Sequence, residues 1–410
     1  MIAFDFKLMV RLAHRSIFEL KDMDSRCKSR RIAMLLINLF FYGLSEMIHW
    51  TCFFLDEFFF PDYRQVDVIE PVFIAGLPRS GTTHMHRLMA KDPQFTSFRL
   101  WEILLAPSIV QKKFYKAMGV LDRKLGSPIS RFIDKFEKAA FKNKFHEIGL
   151  FKPEEDDPIL LHIFSSFFLV FMFPFDEDVR RFSRFDLEIP AAERARIMKF
   201  YKQCVQRHLY VFGKDKRFLS KNPAFSPKIR SIGETFPDAK VIYMARNPLQ
   251  AVASGMSFRS FLLDHLYFPL SPEAIQSLIL QNALFFYTHP LEILSAWQEN
   301  RHAFVNYDSL IADSEKTVLD VYHRFGLNVS TPYRRALSLD KIRSFAYRSR
   351  HCYAPEDFGI SRDTIISLFK QVFDKFGFDM NSGENLNSES LGPDQDNDSG
   401  DFVSNESCRM

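Results

Sequence analysis

A loop rich in glycine and hydroxyl side chains follows a short apolar run near the first quarter of the chain. The run Val72 to Ala75 predicts a buried strand, and the loop after it reads Gly76-Leu77-Pro78-Arg79-Ser80-Gly81-Thr82-Thr83. Loops of this kind bind a phosphate through backbone N–H groups at the start of a helix. Thr82 stands where the G-x-x-x-x-G-K-[ST] pattern has its lysine. The loop is therefore suited to holding a phosphate and poorly suited to transferring the end of a triphosphate, and Arg79 supplies a different cation.

A second strand and helix unit carries another arginine. Lys240 to Ala245 is a β-rich run, Arg246 follows it directly, and Asn247 with Pro248 is typical of a helix start. Ser254 lies eight residues beyond Arg246 on the predicted helix. An arginine and a hydroxyl near a helix N-terminus favour an anion there. The two units together predict a ligand with two separate phosphate groups.

Short strands and intervening helices must position these two loops. Further strands are predicted at Phe218 to Ser220 and at Ala303 to Asn306. Strands that alternate with helices indicate an α/β fold, a P-loop NTPase-like parallel sheet flanked by helices, with its ligand at the carboxyl ends of the strands. Residues 108 to 210 predict helical insertions on the acceptor side of the cleft. The predicted organisation is a helical extension over 1–70, a catalytic domain over 71–380 and a disordered acidic tail over 381–410.

The extension contains a basic cluster, Arg26 to Arg31, followed by the apolar run Ile32 to Leu44. A membrane-spanning helix needs about 20 mostly apolar residues, so the uninterrupted run is too short to span. Two interpretations stay open. Residues 26–60 form a helix in peripheral contact with anionic lipid headgroups, or an amphipathic helix packed on the main domain.

Charge and cysteine usage limit the partners and the compartment. The chain has 410 residues and a net charge of +4, and its acidic tail leaves the rest of the chain more basic than the whole. A basic body suits an anionic ligand, although the same charge attracts anionic lipid or nucleic acid; a nucleic-acid partner is not predicted. The five cysteines are scattered without a C-x-x-C pair, which favours a reducing compartment and argues against zinc. With no secretory signal evident in the first thirty residues, a cytoplasmic location is expected.

The two anion-binding segments together resemble the signatures of the sulfotransferases that use 3′-phosphoadenosine 5′-phosphosulfate (PAPS). The resemblance covers most of residues 71 to 380 and is to the bacterial-type, or "type 3", branch, with similarity also to the Golgi tyrosylprotein sulfotransferases. In that family the first motif holds the 5′-phosphosulfate and the second holds the 3′-phosphate. The resemblance implies PAPS as co-substrate, no metal, and these donor-binding residues: Arg79, Ser80, Gly81, Thr82, Thr83, Arg246, Ser254, Arg259, Tyr307 and Arg350.

Three further segments extend the resemblance. Lys221-Asn222-Pro223 is similar to the family's Lys-Asp-Pro element, whose lysine contacts the transferring sulfuryl group. Asn306 to Leu310 is similar to a Tyr-Glu-x-Leu segment, which implies that Tyr307 sits by the adenine. Arg350 to Tyr353, with Glu356 to Gly359, is similar to a closing segment of the bacterial-type branch.

Sulfuryl transfer moves less charge than phosphoryl transfer, so Arg79, Lys221 and the loop N–H groups could stabilise it without a metal ion. The acceptor hydroxyl also needs a base within hydrogen-bond reach. The histidine that serves the cytosolic branch is replaced here by Pro223, and resemblance to the Golgi-type and bacterial branches implies Glu102 instead. Other candidates for the base remain open: His146, His162 and the acidic run Glu154, Glu155, Asp156 and Asp157, although such a run is usually a solvated face or a helix start.

The sequence thus predicts a PAPS-dependent sulfotransferase acting on a hydroxyl or amine of a small-molecule, lipid or carbohydrate acceptor. The stretch Phe164 to Phe175 hints at a lipophilic acceptor, although buried helices would look the same. Two other classes of function stay open as alternatives to a sulfotransferase. A P-loop kinase or NTPase is disfavoured because Thr82 replaces the lysine, and a catalytically silent nucleotide-binding, membrane-associated scaffold would keep both arginines without a base.

Overall fold

Five parallel strands form one sheet in the order β2-β3-β1-β4-β5. The strands are β1 (Val72–Gly76), β2 (Phe95–Thr96), β3 (Arg217–Lys221), β4 (Lys240–Ala245) and β5 (His302–Asn306). In the register, Val72 of β1 lies opposite Leu219 on one side and Lys240 on the other. The sheet confirms the α/β prediction and the four predicted strands. The two-residue strand β2 was not predicted, because so short a segment carries no periodicity.

This computed structural model describes residues 4–19, 25–140, 149–173, 176–266, 272–344 and 355–380. The predicted tail at 381–410 lies outside them, and the predicted division into domains stays a prediction. The helices of the first half are α1 (Phe6–Phe18), α2 (Ser25–Phe59), α3 (Thr82–Met89), α4 (Leu100–Leu105), α5 (Ile109–Lys124), α6 (Pro128–Ala140), α7 (Leu169–Met172), α8 (Asp176–Val179), α9 (Phe185–Glu188) and α10 (Ala191–Phe212). Those of the second half are α11 (Ile229–Thr235), α12 (Pro248–Leu266), α13 (Pro272–Ser295), α14 (Tyr307–Ala312), α15 (Ser314–Phe325), α16 (Thr331–Ser344), α17 (Arg362–Leu368) and α18 (Lys370–Phe376).

Helices cover both faces of the sheet, and alternate strand residues enter two different cores. Phe73 and Tyr243 belong to a large core that also receives α10, α11 and α13. Ile74 and Met244, one position along each strand, belong to a smaller core that receives α3, α15 and α16. Successive side chains of a strand point to opposite faces, so burial on both sides explains the nearly continuous apolar runs of β1 and β4.

The carboxyl ends of the strands converge on one edge of the sheet. Strand β1 leads into the glycine-rich loop, β3 ends at Lys221, β4 is followed by Arg246, and β5 by Tyr307. In open parallel sheets this edge is where ligands bind. The glycine-rich loop, Lys221, Arg246 and Tyr307 are therefore placed at one edge by topology, although they come from segments far apart in sequence.

The acceptor-side stretch is less regularly helical than predicted. Helices α5, α6 and α10 are long, but residues 151–173 and 176–190 form short helices and 3-10 turns, including one over Asp157–Ile163. Prolines at positions 153 and 158 cannot continue a helical hydrogen-bond ladder. The acidic side chains of this segment, Asp156 and Asp157 among them, form hydrogen bonds and ion pairs with other parts of the fold.

The N-terminal helix α2 is longer than the predicted apolar run. It extends for 35 residues, and its Ile32–Phe59 portion is long and apolar enough to cross a membrane by length and composition, with 11% of the most apolar window buried. The helix is therefore longer than the run Ile32 to Leu44 on which the prediction rested, because Glu46, His49 and Asp56 do not interrupt it. They lie on its buried face and bond to the rest of the protein.

Candidate active site

The glycine-rich loop is clamped at its start by a residue from a distant segment. The Gly76 N–H donates to Ser226 Oγ at 2.9 Å, and the same hydroxyl donates back to the Gly76 carbonyl at 2.9 Å. A Cβ at position 76 would stand 2.5 Å from the Met244 carbonyl oxygen, so only glycine fits against β4 here. Nothing in the sequence singled out Ser226.

The middle of the loop holds an unusual backbone and an unsatisfied hydroxyl. Arg79 has φ +71°, a left-handed conformation that costs a non-glycine residue free energy and is concentrated at functional sites. Ser80 is fully buried, and its Oγ has no hydrogen-bond partner among the described residues. Buried hydroxyls are nearly always hydrogen-bonded, so this oxygen fits a loop built to receive a ligand.

The loop ends at Gly81, which begins helix α3 with φ +87°. A Cβ on Gly81 would approach the Tyr307 ring to 2.6 Å. Thr82 and Thr83 form the first turn of α3, where unpaired backbone N–H groups and the helix dipole favour an anion. The predicted loop and the predicted tyrosine are thus in direct contact.

Arg246 joins the second anion segment to the first. Its Nη1 donates to the Arg79 carbonyl at 2.8 Å, and its guanidinium carbon lies 4.4 Å from the centre of the Tyr307 ring. Burial lowers the pKa of Arg246, but an arginine starts so high that it stays charged. Arg79 Nε in turn lies 3.4 Å from Ser254 Oγ. The structure therefore brings Arg79, Arg246, Ser254 and Tyr307 into one group.

Lys221 ends β3 with a fully buried side chain beside two carboxylates. Its Nζ lies 3.2 Å from Glu154 Oε1 and 3.2 Å from Glu155 Oε1. Although burial acts to lower it, the carboxylates of Glu155 and Glu154 raise the pKa of Lys221 above its usual value. The ammonium therefore stays charged. The two glutamates, with side chains 16% and 24% exposed, are the solvent-accessible part of this cluster.

The acidic run that contains these glutamates is bonded into the protein and is not a solvated face. Asn222 Nδ2 donates to Asp156 at 3.3 Å, and Tyr201 also donates its hydroxyl proton to Asp156. Lys228 pairs with Asp157, both side chains being fully buried. Burial raises the pKa of Asp156 to about 6. The contacts of Asn222 with Asp156 and of Lys228 with Asp157 were not predicted from the sequence. The only sign of them in the sequence is that an acidic segment and a basic residue both occur.

Glu102 lies in a different environment from Lys221. It is 1% exposed, its Oε1 accepts the Arg99 N–H at 3.2 Å, and its Oε2 lies 2.7 Å from His208 Nδ1. Although burial acts to raise it, His208 and Lys112 lower the pKa of Glu102. Both carboxylate oxygens are thus engaged in the core, so these surroundings argue for a positioning role and against direct contact with an acceptor.

The remaining predicted residues divide into two groups. His162 bonds Glu46 at 2.8 Å through Nδ1 and the Ile103 carbonyl at 2.8 Å through Nε2, so both ring nitrogens are occupied. Three others lie outside the described residues or have side chains outside them, and their roles stay predictions: His146, Arg259 and Arg350.

Comparison with known proteins identifies one family. A model described as "Sulfotransferase family" matches residues 71–331. A curated protein named omega-hydroxy-beta-dihydromenaquinone-9 sulfotransferase Stf3, from Mycobacterium bovis, is 23% identical over 321 residues, which are 77% of this chain and 76% of the relative. Its Mycobacterium tuberculosis counterpart of the same name matches equally.

Solved structures of similar fold cover most of the chain. Sulfotransferase STF1 from Mycobacterium tuberculosis has a TM-score of 0.69 at 18% identity, covering 90% of this chain and 93% of its own. Sulfotransferase STF9 from Mycobacterium avium has a TM-score of 0.68 at 14% identity, covering 92% and 98%. At these identities the likeness shows a shared fold, and it extends beyond the residues that the family model matches.

Proposed function

The chain belongs to the sulfotransferase family, and on that premise we propose that it transfers a sulfuryl group from PAPS to a hydroxyl group of a lipophilic small molecule. The observation that carries the proposal is the position of three cations. Arg79, Lys221 and Arg246 follow or end three adjacent parallel strands, β1, β3 and β4, at the same edge of the sheet. Such an edge suits a donor that carries a phosphosulfate and a separate phosphate.

The residues around the loop fit this donor. The unpartnered Ser80 hydroxyl and the N–H groups at the start of α3 are donors with no other described partner to satisfy them. Arg246 and Ser254 would hold the 3′-phosphate, with Tyr307 beside the adenine. PAPS, when bound, supplies the sulfuryl group and leaves as adenosine 3′,5′-bisphosphate. The proposal includes no metal ion, and it leaves Arg259 and Arg350 as further donor contacts.

Two cations perform the electrostatic work. The ammonium of Lys221 is fixed by its two carboxylates and by the surrounding core, so it needs no reorganisation as charge develops on the leaving oxygen. Arg79 and the loop N–H groups would add to this stabilisation, with Arg79 in an exposed position beside Ser254. Fixed charges in a partly dehydrated site stabilise developing charge far more than charges in water do.

We propose Glu155 as the general base in place of Glu102. Glu155 is 24% exposed at 3.2 Å from Lys221, whereas Glu102 is closed inside the core with both oxygens bonded. Glu154 is the second choice, because its Oε1 also accepts the Glu155 N–H at 3.1 Å. Glu155 takes the proton that the acceptor hydroxyl loses as the new sulfur–oxygen bond forms.

The class of acceptor is argued from the relatives and from exposed apolar residues. The curated relatives are named for a hydroxylated menaquinone derivative, and we extend to this chain only the class of lipophilic hydroxyl compound. Phe151, three residues before Glu154, is 51% exposed. An exposed aromatic side chain close in sequence to the proposed base offers an apolar contact for such an acceptor. We place the enzyme in the cytoplasm, in peripheral contact with the membrane that would hold such an acceptor.

Incubation with ³⁵S-labelled PAPS and separate lipid, carbohydrate and peptide extracts tests the proposal. We expect transfer to the lipid pool, unchanged by EDTA, together with binding of adenosine 3′,5′-bisphosphate measured by calorimetry. Binding without transfer to any pool would favour the silent scaffold. Magnesium-dependent transfer from γ-labelled ATP would favour a kinase, and failure of both PAPS transfer and bisphosphate binding would overturn the proposal.

A further inference from the structure

One face of α2 exposes a continuous row of large apolar side chains. Phe40, Phe54 and Phe58 are 68%, 71% and 73% exposed. The other exposed apolar residues of the helix are Met34, Leu36, Ile37, Phe41, Leu44, Met47, Ile48 and Phe59. From Met34 to Phe58 the row is about 36 Å long at 1.5 Å per residue. An apolar surface of this extent marks an interaction site on a protein, because isolated exposed residues are common and long rows are not.

The opposite face of α2 is fixed to the body of the protein. Tyr42 donates its hydroxyl proton to the Leu161 carbonyl at 2.5 Å, and Trp50 donates Nε1–H to the His162 carbonyl at 3.1 Å. Phe53, one turn further on, is 4% exposed in the main core. Tyr42, Trp50 and Phe53 are eight and three positions apart, spacings close to whole turns of a helix. They therefore lie on one stripe of α2, and that stripe faces the protein.

All three acidic residues of α2 have partners on the protein side. Glu46 bonds to His162, Asp56 accepts the N–H groups of Ile109 and Val110 and pairs with Arg207, and Glu57 also pairs with Arg207. Separating α2 from the body would deprive these three carboxylates of their partners or expose them to lipid, and both are unfavourable.

The nearby group Glu46, His49 and His162 brings potential metal ligands within 4.8 Å of one another. However, His162 uses both ring nitrogens on Glu46 and Ile103, and His49 Nδ1 lies 2.8 Å from Gln111 Nε2. These bonds hold the helix to the protein, and we assign no metal to them. The helix therefore cannot cross a bilayer while the domain stays outside it.

We propose that α2 is an in-plane membrane anchor, which lies parallel to the bilayer with its exposed apolar row inserted below the headgroups. Helices with one apolar face and low burial in the protein bind membranes in this orientation. The basic cluster Arg26 to Arg31 stands at the start of the helix, where it can meet anionic headgroups.

A neighbouring helix, α1, lies beside α2. Helix α1 also exposes apolar residues, Phe6, Val10 and Phe18, at 57%, 62% and 63%. The ring of Phe4, just before α1, lies 6.4 Å from the ring of Tyr42, so α1 begins beside the middle of α2.

Charge selects an anionic bilayer over a second copy of the chain. Because Glu46, Asp56 and Glu57 all bond on the protein side, the described exposed face of α2 offers apolar residues and the basic Arg30, with no acidic residue. A second copy would bring its own Arg30 to this face without a matching acid. A membrane rich in anionic lipid satisfies both the apolar row and the basic cluster.

Vesicle flotation of the full chain tests the anchor without any need for enzymatic activity. We expect binding to phosphatidylcholine vesicles that contain 30% phosphatidylglycerol, weaker binding to pure phosphatidylcholine, and partial release by high salt. The triple variant Phe40→Gln, Phe41→Gln, Met47→Gln is expected to lose at least tenfold in partitioning. The control pair Ile311→Gln, Leu339→Gln changes equally exposed apolar residues on α14 and α16 and is expected to bind as the parent does.

Labelling distinguishes an in-plane helix from a spanning one. Cysteines introduced at Arg30 and at Asp62, on either side of the apolar portion, are treated in vesicles with a membrane-impermeant maleimide and followed by peptide mass spectrometry. An in-plane helix lets both sites react from outside, whereas protection of one site would show spanning and overturn the proposal. It is equally overturned if the parent chain does not float, if the control pair loses binding as much as the triple variant, or if the triple variant instead dissociates a dimer seen by sedimentation. Because flotation needs no sulfate transfer, failure here leaves the proposed enzymatic function standing.

Discussion

Glu155→Gln is expected to slow sulfuryl transfer while leaving donor binding intact. Glutamine can still reach Lys221 Nζ from this position, 3.2 Å away in the parent, but it cannot accept a proton from the acceptor. Positioned general bases contribute about 10²- to 10⁴-fold to the rate, so kcat should fall by that factor, about 3 to 5 kcal/mol in activation free energy. Stability should change by less than about 1 kcal/mol, since Glu154 still pairs with Lys221 and Glu155 is partly exposed.

The assay compares Glu155→Gln with Glu102→Gln, the change at the residue that the sequence favoured. Single-turnover transfer to the acceptor pool gives the chemical step, calorimetry with adenosine 3′,5′-bisphosphate gives donor affinity, and urea unfolding gives stability. Glu102→Gln should cost about 1 to 3 kcal/mol of stability, because it replaces a charged partner of His208 in the core, with little effect on the chemical step of the folded fraction.

The reverse pattern would refute the assignment of the base. If Glu155→Gln keeps most of its single-turnover rate, and Glu102→Gln loses at least a hundredfold while remaining as stable as the parent, the base is Glu102. The same loss in Glu154→Gln alone would move the role by one residue.

Three further changes test the donor site and the acidic run. Gly81→Ala should weaken adenosine 3′,5′-bisphosphate binding at least tenfold in calorimetry, because a Cβ at φ +87° would stand 2.6 Å from the Tyr307 ring; unchanged affinity would show that the loop adapts. Arg246→Lys should weaken the same binding by about tenfold, since an ammonium cannot both stack on Tyr307 and bond the Arg79 carbonyl. An equal loss in the free energy of unfolding, measured without ligand, would show that the effect is structural instead. Asp156→Asn should stabilise the protein more at pH 7.5 than at pH 4.5 in urea unfolding. The pKa of Asp156 in the folded state is raised to about 6, so the stability that this carboxyl contributes is fully present below about pH 4 and is lost as the pH rises through about 6. The free energy of unfolding lost in this way is up to about 3 kcal/mol. A difference between the variant and the parent that does not change with pH would contradict this reasoning.

Much of the donor side was predictable because it depends on local patterns. The loop from Gly76 to Thr83 needs glycines where the backbone turns or approaches β4 and Tyr307, and those needs are fixed by residue type and spacing. Strands β1 and β4 were predictable for a similar reason, since burial on both faces gives each one a nearly continuous apolar run. Strands β3 and β5 have only short apolar centres between polar ends. Strand β2, with two residues, has no such run.

The acceptor side was predicted less well because its contacts join distant segments. A run of four acids is usually solvated, and only the position of β3 shows that Glu154 and Glu155 meet Lys221, 67 and 66 positions away. In the same way, Glu102 looks like a candidate base until its two bonds inside the core are known.

The sequence by itself determined the kind of donor loop, the α/β architecture and the family, because each is encoded in residues close together along the chain. Tertiary structure decided which carboxylates face Lys221 and which face of α2 is exposed. The physical reason is that both depend on how separate segments pack. Packing of α2 buries its acidic residues against partners and leaves its apolar row outside, an arrangement that hydropathy along the sequence does not reveal.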